Sequence, residues 1–288
     1  IARHLADAGA KRGAEAIQDL SGAFALAVLD TARQEAFLAV DRMGIWDLSY
    51  GVADGALLFA PRADRIAADP RCRAGEDPQA LFDYVYHHMV PRPWTAFRGI
   101  FRLRPGEAVT FRKGEVRCET YWRPSFPEDR RTSLPDLERG FRDTVRAAVG
   151  RASAEGRVGA FLSGGTDSST VTGMLREVTG QPPATFAIGF DAPGYDETEY
   201  ARIAARHFGA DHHEYYVTPA DVVAAVPRIA AGYDQPYGNA SVVPSYYCTR
   251  LARESGNHFG IKARPGSGAR QKIAQRRFSE LRDEDFKF

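Results

Sequence analysis

Short apolar runs separated by polar turns dominate the chain up to about Trp122. Ala23–Leu29 is a continuous apolar run of strand length, and Ala36–Val40 follows it after the polar turn Asp30–Gln34. This spacing predicts a hairpin buried on both faces. Ala56–Ala60, Glu107–Phe111 and Glu115–Tyr121 read as further strands, the last two joined by a turn at Lys113–Gly114. One helix, Pro78 to Met89, interrupts them, and its spacing predicts that Leu81, Phe82, Val85 and Tyr86 face a core.

The pattern changes after Trp122. Arg123–Pro135 is rich in proline and charge, lacks periodicity and reads as a linker. A helix is expected from about Leu134 to Ala148, with Leu137, Phe141, Val145 and Ala148 on one stripe. Strand and helix then alternate. Val158–Leu162 leads to a helix-like segment at Thr170–Glu177, then to the strand Ala184–Phe190. Helices near 197–208 and 220–231 flank a strand at His213–Val217. This order implies an α/β fold with a parallel sheet and a ligand at the C-terminal ends of its strands.

Composition narrows the classes. The chain has 288 residues, 44% of them hydrophobic, enough for one large core or two modest ones. A net charge of +1 argues against a nucleic-acid partner. Cys72, Cys118 and Cys248 are widely spaced, which fits a reducing cytoplasm better than a disulfide framework or a zinc site. No apolar run approaches the ~20 residues that span a bilayer. His87–His88 and His212–His213 are adjacent pairs without a third ligand and read as structural.

The chemistry concentrates in Phe161-Leu162-Ser163-Gly164-Gly165-Thr166-Asp167-Ser168-Ser169. A buried strand runs into two glycines, hydroxyls and a helix start, the layout of a backbone cradle for phosphate. Gly164 and Gly165 let the backbone approach a ligand, and Ser163, Ser168 and Ser169 add donors. Asp167 would repel a bare phosphate, so its presence points to Mg²⁺ between carboxylate and phosphate. The Gly-Lys-Ser/Thr ending of a Walker loop is absent. The competing reading is an ordinary strand–turn–helix junction with capping residues.

Ser-Gly-Gly-x-Asp-Ser resembles the signature of ATP pyrophosphatases. The segments Leu20–Asp30, Phe37–Ile45, Trp94–Ile100, Leu103–Gly106 and Tyr121–Trp122 look like the later part of a class II glutamine amidotransferase domain. That order is similar to glutamine-hydrolysing asparagine synthetase. The resemblance implies an Ntn-type, mostly-β amidotransferase remnant over 1–122, a linker at 123–135, and an adenine nucleotide α-hydrolase-like ATP-pyrophosphatase domain over 136–288. It implies ATP and Mg²⁺ as cofactors, Mg²⁺ being held through pyrophosphate by Asp167. It places ATP at Leu162, Ser163, Gly164, Gly165, Asp167, Ser168, Ser169 and Ile188. Tyr195-Asp196-Glu197, Ala210–Glu214, Tyr233–Pro236 and Pro244–Tyr246 also match the family in type and order, which puts Asp196, Glu197 and Asp234 near the substrate pocket.

The implied activity is hydrolysis of glutamine, passage of ammonia, adenylation of the aspartate side chain and amidation to asparagine. The expected partners are small molecules (aspartate, glutamine or ammonia, and ATP), with a homodimer left open. The family's N-terminal cysteine nucleophile and a lysine beyond the loop region have no match here, so the catalytic residues are unassigned and a free-ammonia reaction is the expectation. Asn257–Gly268 matches neither the family's next strand nor its acidic loop, which suggests a truncated or frameshifted frame. Gly266–Lys272 reads as a basic tail. Two alternatives stay open: a relative that adenylates another carboxylate, of the β-lactam synthetase or lasso-peptide cyclase type, and a non-catalytic remnant.

Overall fold

A computed structural model describes residues 15, 17–128, 131–154, 157–192, 196–256 and 259–261. Two compact units divide the chain. The first comprises 1–126 and 233–239, the second 127–232 and 240–288. Among the described residues no helix is long and apolar enough to cross a membrane.

The described residues of the first unit form two antiparallel sheets. β1 (Ala25–Asp30), β2 (Glu35–Val40), β6 (Glu107–Arg112) and β7 (Glu115–Thr120) form one in the order β1-β2-β6-β7. β3 (Ser49–Ala53), β4 (Ala56–Ala60) and β5 (Ile100–Arg102) form the other in the order β4-β3-β5. Alternation along β2 builds two cores. Leu38 and Val40 pack with Leu48, Tyr50, Leu103 and Val109, while Phe37 and Ala39 pack with Ile17 and Ala108. β2 is buried on both faces as expected, but β1 is an edge strand whose residues alternate between exposed and half-buried. β3 and β5 had no apolar run to announce them. Cys72 is half-buried against Ala63, Ile66 and Ile100.

The described residues of this unit include the helices α1 (Ala63–Ala67) and α2 (Pro78–His87). Asp77 caps α2 by accepting from Gln79 N at 3.0 Å, and Pro78 fits the first turn. The expected core stripe of α2 is turned outward, with Phe82 64% and Tyr86 73% exposed. Only Ala80 is fully buried, so the helix packs through its small residue rather than its large ones.

The second unit is an all-parallel sheet in the order β10-β9-β8-β11. Its strands are β8 (Val158–Phe161), β9 (Ala184–Phe190), β10 (Asp211–Val217) and β11 (Phe259–Ile261). β11 pairs with Val158–Ala160, so a strand does stand where the sequence matched none. The remainder of the unusual C-terminal segment, Gly266–Lys272 included, lies outside the described residues, as do 129 and 130 of the linker. The helices are α3 (Leu134–Ala152), α4 (Thr166–Thr179), α5 (Thr198–Phe208), α6 (Pro219–Gly232) and α7 (Val242–Glu254). Ala160 packs with Val149, Val171 and Leu175, whereas Phe161 and Phe186 pack with Cys248 and Ala252. Leu162 and Ala187 in turn pack with Ala201 and Ala205 of α5. Of the stripe predicted on α3 only Val145 is half-buried; Leu137, Phe141 (67% exposed) and Ala148 face out, and the helix buries Val149 instead.

Candidate nucleotide-binding cleft

β8 delivers the chain to the glycine loop, and one further bond, Leu162 N to Phe186 O at 2.9 Å, carries the sheet to its edge. The helix that follows opens at Thr166, four residues earlier than its apolar spacing suggested. Asp167 and Ser168 therefore sit in the first turn of α4, where backbone N–H groups carry partial positive charge. The N-cap is Gly165, which has no side chain to occupy those donors.

The loop is held by its own hydroxyls. Ser168 Oγ is buried, donates to Gly165 O at 3.1 Å and accepts from Ser163 N at 3.2 Å. The Ser163 and Ser168 hydroxyls also meet at 3.1 Å. Ser163, Gly165, Thr166 and Asp167 are exposed. Gly164 has φ +82°, and a Cβ there would lie 2.3 Å from the Tyr200 carbonyl carbon and 2.5 Å from Ala201 N. Glycine is required twice over, by the left-handed backbone and by the approach of α5.

These residues line a cleft of about 570 Å³. Ser163, Gly165, Thr166, Asp167 and Ser168 line it together with Phe161 and Leu162. β9 contributes Phe186, Ala187, Ile188 and Phe190, α5 contributes Thr198 and Ala201 with Glu197 just before it, and α7 closes the cleft with Pro244, Ser245 and Cys248. A volume of this order suits a nucleotide-sized ligand. One end offers N–H and hydroxyl donors with a carboxylate; another offers aromatic and aliphatic walls.

Most of the expected site residues come together here: Leu162, Ser163, Gly165, Asp167, Ser168, Ile188 and Glu197. Gly164 and Ser169 shape the loop and its helix without lining the cleft. Tyr195 lies outside the described residues. Asp196 stands beside the cleft, accepting from Thr198 N at 3.1 Å and from Tyr216 Oη at 3.0 Å. Hydrogen bonds from Thr198, aided by Tyr216 and Arg202, hold its carboxyl below the ordinary aspartate value.

Asp234 does not line this cleft. It is buried in the first unit, ion-paired with Arg102, and accepts from Ala63 N at 2.7 Å. A proline-bounded loop in sequence gave no sign of that partner. Thr198, Ala201, Ser241 and Cys248 were not singled out either, because nothing local marks a residue that lines a cleft from a separate helix.

Among the described residues no three metal-ligating side chains converge. Asp167 is the exposed carboxylate at the loop, which fits a hard cation that takes most of its oxygens from phosphate and few from protein.

The family model described as Asparagine synthase matches residues 140–259, and that described as Glutamine amidotransferase domain matches residues 4–122. A putative asparagine synthetase [glutamine-hydrolyzing] 2 of Methanocaldococcus jannaschii is 29% identical over 252 residues, 85% of this chain and 48% of that protein. Asparagine synthetase [glutamine-hydrolyzing] 1 of Bacillus subtilis is 28% identical over 88% of this chain and 40% of its own length. A putative asparagine synthetase [glutamine-hydrolyzing] of Mycobacterium bovis is 30% identical over 84% of this chain and 38% of its own length. The chain thus spans less than half the length of these relatives. A glutamine phosphoribosylpyrophosphate amidotransferase structure from B. subtilis aligns over 94% of this chain and 65% of that chain at 14% identity with a TM-score of 0.27.

Proposed function

Because this chain belongs to the glutamine-hydrolysing asparagine synthetase family, we propose that its second unit binds ATP in the cleft and adenylates a carboxylate. The acceptor is the aspartate side chain, and ammonia derived from glutamine completes asparagine synthesis in the whole protein. The observation that carries the proposal is the loop itself: an uncapped helix start with Asp167 in its first turn, on a backbone bend that only glycine accommodates.

The chemistry follows from the leaving groups. A carboxylate is a poor electrophile because its departing oxygen is poor. Attack of its oxygen on the α-phosphorus of ATP breaks the bond to the β-phosphate oxygen and releases pyrophosphate. The acyl adenylate then loses AMP to ammonia, which gives up a proton as the amide forms. Negative charge builds on pyrophosphate in the first step. The N–H groups opening α4 and the Ser163 and Thr166 hydroxyls stand where they stabilise it without reorganising. Leu162 and Ile188 flank the nucleoside, and Glu197 faces the acyl substrate. Magnesium, when bound with Asp167 as its protein ligand, supplies neutralisation of phosphate charge.

The same reading gives the first unit a class II, Ntn-type amidotransferase fold and the second an ATP-pyrophosphatase fold, divided by the linker 123–135. A cytoplasmic setting belongs to it as well. Asp234 is left out of the pocket and Asp196 acts through its neighbours.

Incubation of the chain with ATP, Mg²⁺, aspartate and ammonium, followed by pyrophosphate assay, tests the proposal. Aspartate-dependent release is expected, and Asp167→Ala should abolish it. Release that ignores aspartate, or that survives Asp167→Ala, contradicts the acceptor or the role of the carboxylate respectively.

A further inference from the structure

The first turn of α5 is a wall of the cleft, and it is fixed from two directions. On the loop side it lies against Gly164, where Tyr200 and Ala201 leave no room for a Cβ. On the sheet side it meets Tyr216 of β10, whose register partner on β9 is Gly189. A Cβ on Gly189 would come within 2.7 Å of the Tyr216 ring and 2.9 Å of Thr198 Cγ2, so this glycine clears the floor on which the ring rests.

The Tyr216 hydroxyl is saturated. It donates to Asp196 Oδ2 at 3.0 Å, meets Thr198 Oγ1 at 2.8 Å and accepts from an Arg202 guanidinium nitrogen at 3.3 Å. A phenol has one proton and two lone pairs, so the bond to Thr198 is one that Tyr216 accepts. Asp196 returns to the same turn by accepting from Thr198 N at 3.1 Å. Arg202 is itself anchored, donating to Glu214 at 2.6–3.1 Å. One oxygen thus ties together Asp196, two residues before the helix, the helix's first residue Thr198 and Arg202 one turn on. Between Asp196 and Thr198 stands Glu197, and Glu197 and Thr198 both line the cleft.

We propose that Tyr216 is a positioning residue for the nucleotide cleft: its hydroxyl, rather than its ring, holds Glu197 and Thr198 in the place where the ligand meets them. Tyr216 itself does not line the cleft. Its role presumes the nucleotide cleft proposed above.

Tyr216→Phe keeps the ring over Gly189 and removes the three hydrogen bonds. Titration of the whole chain with ATP and Mg²⁺ should show the dissociation constant rising about tenfold. Amide exchange at Thr198, Tyr200 and Ala201 should quicken while that of β8 and β9 stays unchanged. Asp196→Ala breaks the same tie from its other end. The double variant should therefore bind ATP no worse than Tyr216→Phe alone, since interacting sites are not additive. Undiminished affinity in Tyr216→Phe, or full additivity with Asp196→Ala, overturns the positioning role and leaves the cleft intact. Failure of the unaltered chain to bind ATP overturns the nucleotide reading and Tyr216's part in it together.

Discussion

Replacing Gly164 with alanine drives a methyl group into the backbone of α5. The added Cβ would stand 2.3 Å from the Tyr200 carbonyl carbon, 2.4 Å from Tyr200 Cβ and 2.5 Å from Ala201 N. None of these is the far end of a flexible side chain, so the helix or the loop must move. The φ of +82° adds the left-handed penalty of an L-residue, about 1–2 kcal/mol. Displacing packed backbone adds about 1–3 kcal/mol. The sum, roughly 2–5 kcal/mol, moves a urea midpoint by about 1–2.5 M for a slope near 2 kcal/mol/M. Gly165 is the control. Its φ is −71°, and a Cβ there would meet nothing closer than Ser163 Oγ at 3.6 Å. Gly165→Ala should cost no more than about 1 kcal/mol, as at an ordinary helix cap. Urea unfolding of both variants, followed by a probe in the second unit, checks the contrast. Equal midpoints for the two would refute the claim that α5 presses on the loop at Gly164.

Asp41 is buried and accepts from Met43 N at 3.0 Å, Ile45 N at 3.0 Å and Trp46 N at 3.2 Å, so Asp41→Ala should destabilise the first unit by about 2–4 kcal/mol in a denaturant titration. Arg102 is buried between Asp234 and Asp47; burial works against its charge, and the two carboxylates outweigh it. Arg102→Ala should cost about 3–5 kcal/mol by removing the guanidinium that neutralises two buried carboxylates, and the Arg102→Ala/Asp234→Ala double should cost less than the sum of the singles. Burial, with Asp41 nearby, raises the Tyr121 phenol to about 12, and its hydroxyl donates to Val40 O at 2.7 Å. The folded value lies above the unfolded one near 10, so this stabilisation is complete below about pH 10 and lost as pH rises through 12. Tyr121→Phe should therefore flatten the fall in melting temperature across that window.

What the sequence disclosed was what lies close together along the chain. The glycine loop, the strand before it and the strand holding Ile188 were readable because a turn, a cradle and an apolar run are local patterns. The helix start was misplaced by four residues because Thr166–Ser169 carry no apolar signal, although their hydroxyls favour a first turn. The faces of α2 and α3 were misread for a different reason. Spacing identifies an apolar stripe, yet only packing decides whether it is covered, and Phe82, Tyr86 and Phe141 are exposed. Contacts distant in sequence left no trace. Asp234 meets Arg102 across 132 positions, and Tyr216 meets Thr198 across 18. β11 escaped notice because three residues with a central glycine carry too little pattern to announce a strand.

Phosphate is expected to bind at the start of α4. Titrating the isotopically labelled chain with ATP, pyrophosphate and adenosine while following the backbone amides of Gly165 to Ser168 tests it most directly. ATP and pyrophosphate should both shift these resonances, and adenosine should leave them in place while shifting Ile188. Unmoved loop amides in the presence of bound ATP would contradict the claim.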